Sequence, residues 1–336
     1  MYKPYNRRYI GNKNKLNNWI REELIKTGGD SFLDIFAGTG SVAFHNLNYY
    51  KKIGLNDNLF HNFILYNAFF SSEIIDKSKI LGFIDKFNNL KYKGNIFSRK
   101  YGNKFFTKKD ASKIWEARKY VEKNKEILTN REYFILISII ILAADKSSRS
   151  VGHFESYLKT GNFKEIIFKE LFIDIYSNEF KIYNMDSNIL AKEIEYYDVV
   201  YVDPPYNSRQ YAYFYHVLET IALNNLTDDD SFIGEVSKPL YIYEKTSEYS
   251  KALAPKAFND LIENLNCKYI VVSYNNTFNP KSSSSKNKIS FKQIKEILSK
   301  KGTLTIKKKT YKFFNSGKTS FSDHKEYLFT VEVNND

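Results

Sequence analysis

The stretch Val199-Val200-Tyr201-Val202-Asp203-Pro204-Pro205-Tyr206 constrains the fold of this chain more than any other. Its β-branched run reads as a buried parallel strand, since strands covered on both faces are apolar without alternation. Pro204 and Pro205 then forbid both continuation of the ladder and an immediate helix. Asp203 therefore lies at the carboxyl end of a strand, where open α/β sheets place their ligand crevice. The Asp203 carboxylate and the Pro204 carbonyl are two acceptors suited to an amino group with two hydrogens, and the Tyr206 ring suits stacking on a planar heterocycle. A plain strand closed by a proline turn would read the same way, so other strand ends must decide.

Phe32-Leu33-Asp34-Ile35-Phe36-Ala37-Gly38-Thr39-Gly40-Ser41 is another apolar strand, turning through two glycines into a helix expected over Val42 to Tyr49. Glycines there let backbone approach a ligand closely, as in dinucleotide folds, but the third glycine of that fingerprint is missing. A nucleoside without phosphates fits the loop at least as well. The next strand, Lys52 to Asn56, delivers Asp57 nineteen positions after Gly38, an offset at which an acid can hold both hydroxyls of a ribose. A helical run from Phe60 to Phe70 keeps the β-α rhythm. Sheet-like sequence returns at Glu179 to Tyr183 and reaches Asn184-Met185-Asp186-Ser187, where Asp186 either accepts from an adenine amine or caps the helix Ser187 to Lys192.

Between about Ser71 and Lys181 the strand rhythm stops. Helices are expected over Asp76 to Phe87 and Thr107 to Thr129, with a buried one over Arg131 to Ala144. This predicts a mainly helical second domain, residues 71–181, inserted into a catalytic domain of residues 1–70 and 182–336; 336 residues suffice for both cores. Lys146 and Arg149, in a tail rich in serine after the buried helix, suit phosphate contacts or a plain surface loop. The formal net charge of +13 favours a polyanionic partner, although an AT-rich genome alone can enrich lysine. One cysteine, Cys267, excludes an internal disulfide and a cysteine-based zinc cluster, and five scattered histidines show no ligand spacing, so no metal is expected. With no apolar leader, and with the longest apolar run, Tyr133 to Ala144, too short to span a bilayer, a soluble intracellular protein is expected.

Near the start, Asn6 to Lys15 is polar and basic, and its lysine beside Gly11, just ahead of an amphipathic segment, can hold an anion or belong to a solvated arm. After the Asp-Pro-Pro-Tyr corner, Asn207 to His216 is dense in aromatics and amides, and a helix is expected from Val217 to Leu223. Lys268 to Ser273 reads as a strand ending in Tyr274-Asn275-Asn276-Thr277-Phe278; Asn279 to Lys288 is polar and basic, suited to ordering on DNA. A helix over Ser290 to Lys300 and strands over Thr303 to Phe313 and Glu326 to Val333 complete the sheet, with Lys307, Lys308 and Lys309 free to meet a phosphate backbone.

Taken in order, Tyr9-Ile-Gly-Asn-Lys13, Asp34-Ile-Phe-Ala-Gly-Thr-Gly40, Asp57, Asn184-Met-Asp-Ser187 and Asp203-Pro-Pro-Tyr206 resemble the motifs of the D12 class, the Dam-like alpha group of DNA adenine-N6 methyltransferases. The resemblance implies an α/β fold, a Rossmann-like methyltransferase sheet with an inserted helical target-recognition domain, and S-adenosylmethionine as cofactor. By the same resemblance, Tyr9 and Lys13 meet the methionine moiety, Asp34, Phe36, Gly38 and Gly40 line the cofactor, Asp57 holds its ribose and Asp186 lies near its adenine. It further implies that Asp203 and Pro204 bind the target amine, with Pro205 fixing the turn and Tyr206 stacking on a base flipped out of double-stranded DNA. Lys146, Arg149, Arg209, Tyr211 and Asn275 become candidate DNA contacts. A bacterial or phage restriction-modification system, acting in the cytoplasm beside an endonuclease without a stable complex, follows as an expectation.

Rival readings remain at this stage. RNA adenine and protein glutamine methyltransferases share the acid-proline-proline-tyrosine corner, because their substrates also present a planar amine. An inactive DNA-binding module has no reason to keep Asp34, Asp57 and Asp203 together, and a nicotinamide-dependent oxidoreductase leaves Asp203 to Tyr206 unexplained.

Overall fold

The computed structural model of this protein describes residues 7–228, 230–277, 286–310 and 324–334. Phe278, most of the Asn279 to Lys288 segment, and the end of the strand expected to reach Phe313 lie outside the described residues. The chain forms two compact units, interleaved in sequence: a sheet unit of residues 13–58, 178–211 and 246–334, and a mainly helical unit of residues 7–12, 59–177 and 212–245.

In chain order the first elements are α1 (Asn17–Thr27), β1 (Ser31–Asp34), α2 (Ser41–His45), β2 (Lys52–Asn56) and α3 (Phe60–Phe69). The helices α4 (Lys77–Asn88), α5 (Ile96–Tyr101), α6 (Lys108–Lys123) and α7 (Asn130–Ser147) follow, then β3 (Glu179–Tyr183), α8 (Ser187–Glu193) and β4 (Tyr197–Val202). After these come α9 (Tyr211–Phe214), α10 (His216–Leu223), the short strands β5 (Phe232–Ile233) and β6 (Lys238–Pro239), α11 (Ala254–Asn264), β7 (Cys267–Asn275), α12 (Phe291–Lys301), β8 (Gly302–Thr310) and β9 (Lys325–Val333).

Seven strands make the sheet, in the order β3-β2-β1-β4-β7-β9-β8. The first five are parallel, β9 is antiparallel to β7, and β8 is antiparallel to β9. This is the α/β, Rossmann-like architecture expected from the strand-end acids. The core of the unit is built from Leu33, Val200, Val202, Ile270, Val272, Phe329 and Val331 on the strands, against Phe258, Leu261 and Ile262 of α11. That spacing of buried positions makes α11 amphipathic, and Pro255 opens it, where a missing amide costs nothing.

Side chains set the strand register at both ends of the sheet. At the amino end, Asp198 Oδ2 accepts from the amides of Asp30 and Ser31 and from Ser31 Oγ, tying β4 to β1. Burial opposes ionisation of this carboxyl, but the Ser31 hydrogen bonds outweigh it and hold it below the usual carboxylate range. At the carboxyl end, the buried Asn56 amide donates to the carbonyls of Ile35 and Met185, both at 3.1 Å, and its oxygen accepts from the Met185 amide. The ends of β1, β2 and β3 are thus held together just where the sequence places its acids.

Two helices differ from the expectation, each because an asparagine intervenes. The helix expected to reach Tyr49 stops at His45, where Asn46 Nδ2 takes the Val42 carbonyl at 2.8 Å. The helix expected to run to Thr129 stops at Lys123, where Asn124 Nδ2 takes the Tyr120 carbonyl at 2.7 Å. Thr129 instead caps the next helix, exchanging hydrogen bonds with Glu132 in a capping box. That helix, α7, runs through the core of the helical unit, buried from Ile135 to Ala144 and apolar there but for Ser138. Arg131 at its start, only 1% exposed, donates to the carbonyls of Ala68, Glu73 and Asp174. Among the described residues no helix is long and apolar enough to cross a membrane.

Candidate active site

Strand β4 lies between β1 and β7, so its carboxyl end opens at the centre of the sheet. Asp203 follows directly, its side chain 17% exposed, and around it converge Lys13, Tyr206, Ser273 of β7 and Glu326 of β9. Lys13 Nζ stands 2.9 Å from Asp203 Oδ1 and 3.4 Å from Glu326 Oε1, and donates to Tyr206 Oη at 3.0 Å. The Tyr206 hydroxyl lies between the two carboxylates, 2.5 Å from Asp203 Oδ1 and 2.7 Å from Glu326 Oε1. Ser273 Oγ donates to the same Glu326 oxygen at 2.7 Å. Burial raises the Asp203 carboxyl above its ordinary value; the Lys13 ammonium opposes that rise and the Glu326 charge reinforces it.

The rest of Tyr206 is also anchored. Its carbonyl accepts from the Lys288 amide at 2.8 Å and from Tyr274 Oη at 3.3 Å, and its ring lies 4.4 Å from that of Tyr274. Pro204 is buried and Pro205 half-buried, keeping the corner rigid.

Beside this corner, β1 ends in Asp34, which is 2% exposed. Its Oδ1 has no hydrogen-bond partner among the described residues. Burial first, then the Asp203 and Asp57 charges, raise this carboxyl well above its usual range. Asp57, after β2, accepts from the Gly38 amide at 3.0 Å and so fixes the glycine loop, while its own carbonyl accepts from Asn184. Gly38 and Gly40 have φ of 54° and 71°, left-handed values that favour glycine, so the loop needs both. Phe36 packs edge-on against Tyr249, with ring centroids 5.1 Å apart. Asp186 is the N-cap of α8, accepting from the Asn188 and Ile189 amides, the plainer of its two readings. In chemical terms, acids end three neighbouring strands around a glycine loop, an arrangement suited to a ligand with positive charge.

Positions 9–309 of the chain match the family model of D12 class N6 adenine-specific DNA methyltransferases. The chain belongs to this family. It is 28% identical over 344 residues to the type II methyltransferase M.NlaIII of Neisseria lactamica, covering 96% of this chain and 98% of that protein. To the type II methyltransferase M.FokI of Planomicrobium okeanokoites it is 31% identical, over 97% of this chain and 52% of that protein. Identity to the type II methyltransferase M.CviAII of Paramecium bursaria Chlorella virus 1 is 27%, over 97% and 98% of the two chains. As a D12 methyltransferase the protein is an adenine-specific enzyme acting on DNA.

The other candidate residues of this D12 methyltransferase are placed as follows. Tyr9, in the helical unit, stacks on Tyr215 with centroids 4.6 Å apart. Lys146 is exposed on the last turn of α7. The Arg149 guanidinium covers the Phe163 ring at 3.9 Å and donates to the carbonyls of Gly161 and Asn103, so the loop it belongs to is held by its own unit. Arg209 is exposed, while burial pushes the phenol of Tyr211 up. Asn275 Oδ1 accepts from the Thr277 amide at 3.0 Å, closing the turn after β7.

Sequence reasoning missed Glu326, Ser273 and Asn56. A signal existed for Glu326: it falls on the buried phase of β9, in step with Leu328, where a carboxylate needs a reason. Asn56, by contrast, reads as an ordinary strand end until its three hydrogen bonds are seen.

Proposed function

We propose that this D12 methyltransferase moves a methyl group from S-adenosylmethionine to the exocyclic N6 of adenine within a short site in double-stranded DNA. The observation that carries the reading is Asp203 at the end of the central strand, held by Lys13 and Tyr206, with the Gly38–Gly40 loop at the end of the neighbouring strand.

The acids fit the cofactor. Asp34, buried with a partnerless oxygen, suits a cationic group, and the left-handed Gly38 and Gly40 give backbone close approach to a nucleoside. Phe36 would line that pocket, Asp57 would hold ribose hydroxyls, Asp186 would lie near the adenine, and Tyr9 and Lys13 would meet the methionine portion. When bound, S-adenosylmethionine supplies an electrophilic methyl group on a positively charged sulfur.

The chain's own part is to make a weak nucleophile competent. An adenine amine is unreactive because its lone pair is delocalised into the ring. Asp203 accepts one amine hydrogen and the Pro204 carbonyl the other, drawing the nitrogen toward tetrahedral geometry and freeing the lone pair. Positioning and electrostatics do the work, with no covalent intermediate on the protein. To reach Asp203 the base leaves the duplex and stacks on Tyr206, whose hydroxyl, carbonyl and ring are all anchored. The amine meets Asp203 through Oδ2, since Lys13 and Tyr206 engage Oδ1.

Target recognition falls to the segment 71–181, with Lys146, Arg149, Arg209, Tyr211 and Asn275 toward DNA. The kinship to type II methyltransferases supports a cytoplasmic role in restriction-modification, beside an endonuclease with no stable complex. Single-molecule sequencing of DNA from a methylation-free host tests the reading. Expression of the protein is expected to give methyladenine at one short motif, absent with Asp203→Ala; no modified adenine from folded protein would overturn it.

A further inference from the structure

Between Lys164 and Glu170 the helical unit carries a strap that belongs to no helix or strand, yet its burial alternates. Ile166 and Phe168 are each 1% exposed, while Ile167 and Lys169 face outward. A period of two marks extended backbone. Side chains hold it where a partner strand would: Asn88 donates through Nδ2 to the Phe168 carbonyl and accepts through Oδ1 from the Phe168 amide, both at 3.0 Å. Asp110 Oδ1 accepts from the Ile166 amide at 3.4 Å. Just ahead of the strap, the Arg149 guanidinium covers the Phe163 ring and donates to the Gly161 carbonyl at 3.2 Å. The strap is thus fixed at its start and its middle by its own unit.

Ala143, Lys146 and Ser147, near the end of α7, share one helix face through their spacing of three and four. Together with the strap they line a cleft of about 140 Å³. Ala143 and Ser147 are short and give it depth; Lys146, Lys164 and Lys169 bring three ammoniums to it against the carboxylate of Glu165, a net charge of +2. Glu170 does not offset this, being turned to Lys77 at 3.5 Å, and Lys164, Glu165 and Lys169 form no ion pair among the described residues. Fixed backbone on both sides keeps the lysines round a hollow, so an anion meets them with little ordering cost. An ammonium binds as a point charge and demands no plane, which suits a phosphate group. Ile167, 50% exposed, adds an apolar surface that a sugar can cover and a free phosphate cannot use.

We propose that this cleft seats the sugar-phosphate backbone of DNA, with Lys164 and Lys169 of the strap as its phosphate contacts. Neither lysine stands out in the sequence, where the serine-rich tail with Lys146 and Arg149 draws the attention instead. The proposal rests on the reading that the enzyme acts on double-stranded DNA. It deepens that reading by giving the helical unit a surface that fixes register on the duplex without reading bases. Glu165 is the cost of the arrangement: it faces the same phosphate and repels it.

The test is filter binding of the full-length protein to sheared, unmethylated bacterial DNA, titrated from about 50 to 200 mM salt. Lys164→Gln/Lys169→Gln is compared with Lys123→Gln/Lys125→Gln, an equal charge change beside Tyr133, roughly 20 Å along α7 from Lys146. All four lysines are exposed, so cooperative melts like that of wild type are expected. In the strap variant the slope of log affinity against log salt is expected to fall by about 2, close to 0.9 per lost contact, with roughly tenfold weaker binding and kcat at saturating DNA within about twofold. The control pair is expected to keep the wild-type slope. Glu165→Gln is expected to tighten binding about two- to threefold, a gain that a packing role for the strap would not produce. A strap variant with the slope of wild type or no shallower than the control, or a Glu165→Gln protein that binds more weakly, would overturn the proposal while leaving the DNA reading intact. Wild-type protein with no salt-dependent affinity for DNA would overturn that reading as well.

Discussion

Asp34 is the residue at which stability and the proposed cofactor binding pull apart most clearly. A buried carboxylate with a partnerless oxygen and two acids nearby destabilises the ionised state, which is why its protonation is displaced upward. Asp34→Asn is accordingly expected to raise the melting midpoint at neutral pH while weakening S-adenosylmethionine binding at least about tenfold by calorimetry. A lower midpoint with unchanged affinity would show that the acid serves the fold alone. Tyr206→Phe isolates another contribution, since the ring remains and only the hydroxyl between Asp203 and Glu326 is lost. Its kcat is expected to fall roughly tenfold with DNA affinity retained, as suits a group that orients Asp203.

Elements were legible in the sequence where one physical rule dominated. The apolar runs Phe32-Leu33 of β1, Val199 to Val202 of β4 and Ile270 to Val272 of β7 are buried and read without alternation, and an acid at the end of each of β1, β2 and β4 marked the edge where the candidate site lies. Helix ends were not legible, because Asn46 and Asn124 act through a single side-chain bond that no periodicity reports. Glu326 and Ser273 were missed for a related reason: they reach the corner from β9 and β7, through antiparallel register that is only fixed once the sheet is built. Gly54 of β2 shows how closely that sheet is fitted. A Cβ there would stand 2.7 Å from Leu33 Cδ1 and 2.8 Å from Tyr197 Oη, so Gly54→Ala is expected to destabilise by about 1–3 kcal/mol in denaturant melts. In the helical unit, Thr129→Ala removes the cap of α7 and is expected to cost about 1 kcal/mol.

For the molecule as a whole, acid is the condition to which the fold is most exposed. His61 is buried against Glu219 at 2.5 Å, and His216 is buried between the carbonyls of Tyr213 and Val236. Burial lowers both imidazoles to about 4, while in the unfolded chain they titrate near the ordinary histidine value of 6.5. Below that value the unfolded chain takes up protons that the native state refuses, so stability is full above about pH 6.5 and falls as pH drops toward 4. Thermal melts across that window are expected to show a falling midpoint, with a shallower slope in His216→Asn; a flat profile would contradict the burial. The formal net charge of +13 sets a second global property. DNA binding is expected to weaken steeply with salt, as counterion release demands, and a salt-independent affinity would argue against phosphate contacts.

The chain passes between its two units after residues 12, 58, 177, 211 and 245. No single cut therefore releases either one, and no one contiguous gene segment encodes a complete core. If the helical unit chooses the DNA site, a new specificity cannot be acquired by importing it as a cassette in one recombination event. Three separated segments would have to arrive together, each at its own place in the chain. Divergence by point substitution within the inherited framework is then the route left open to such an enzyme.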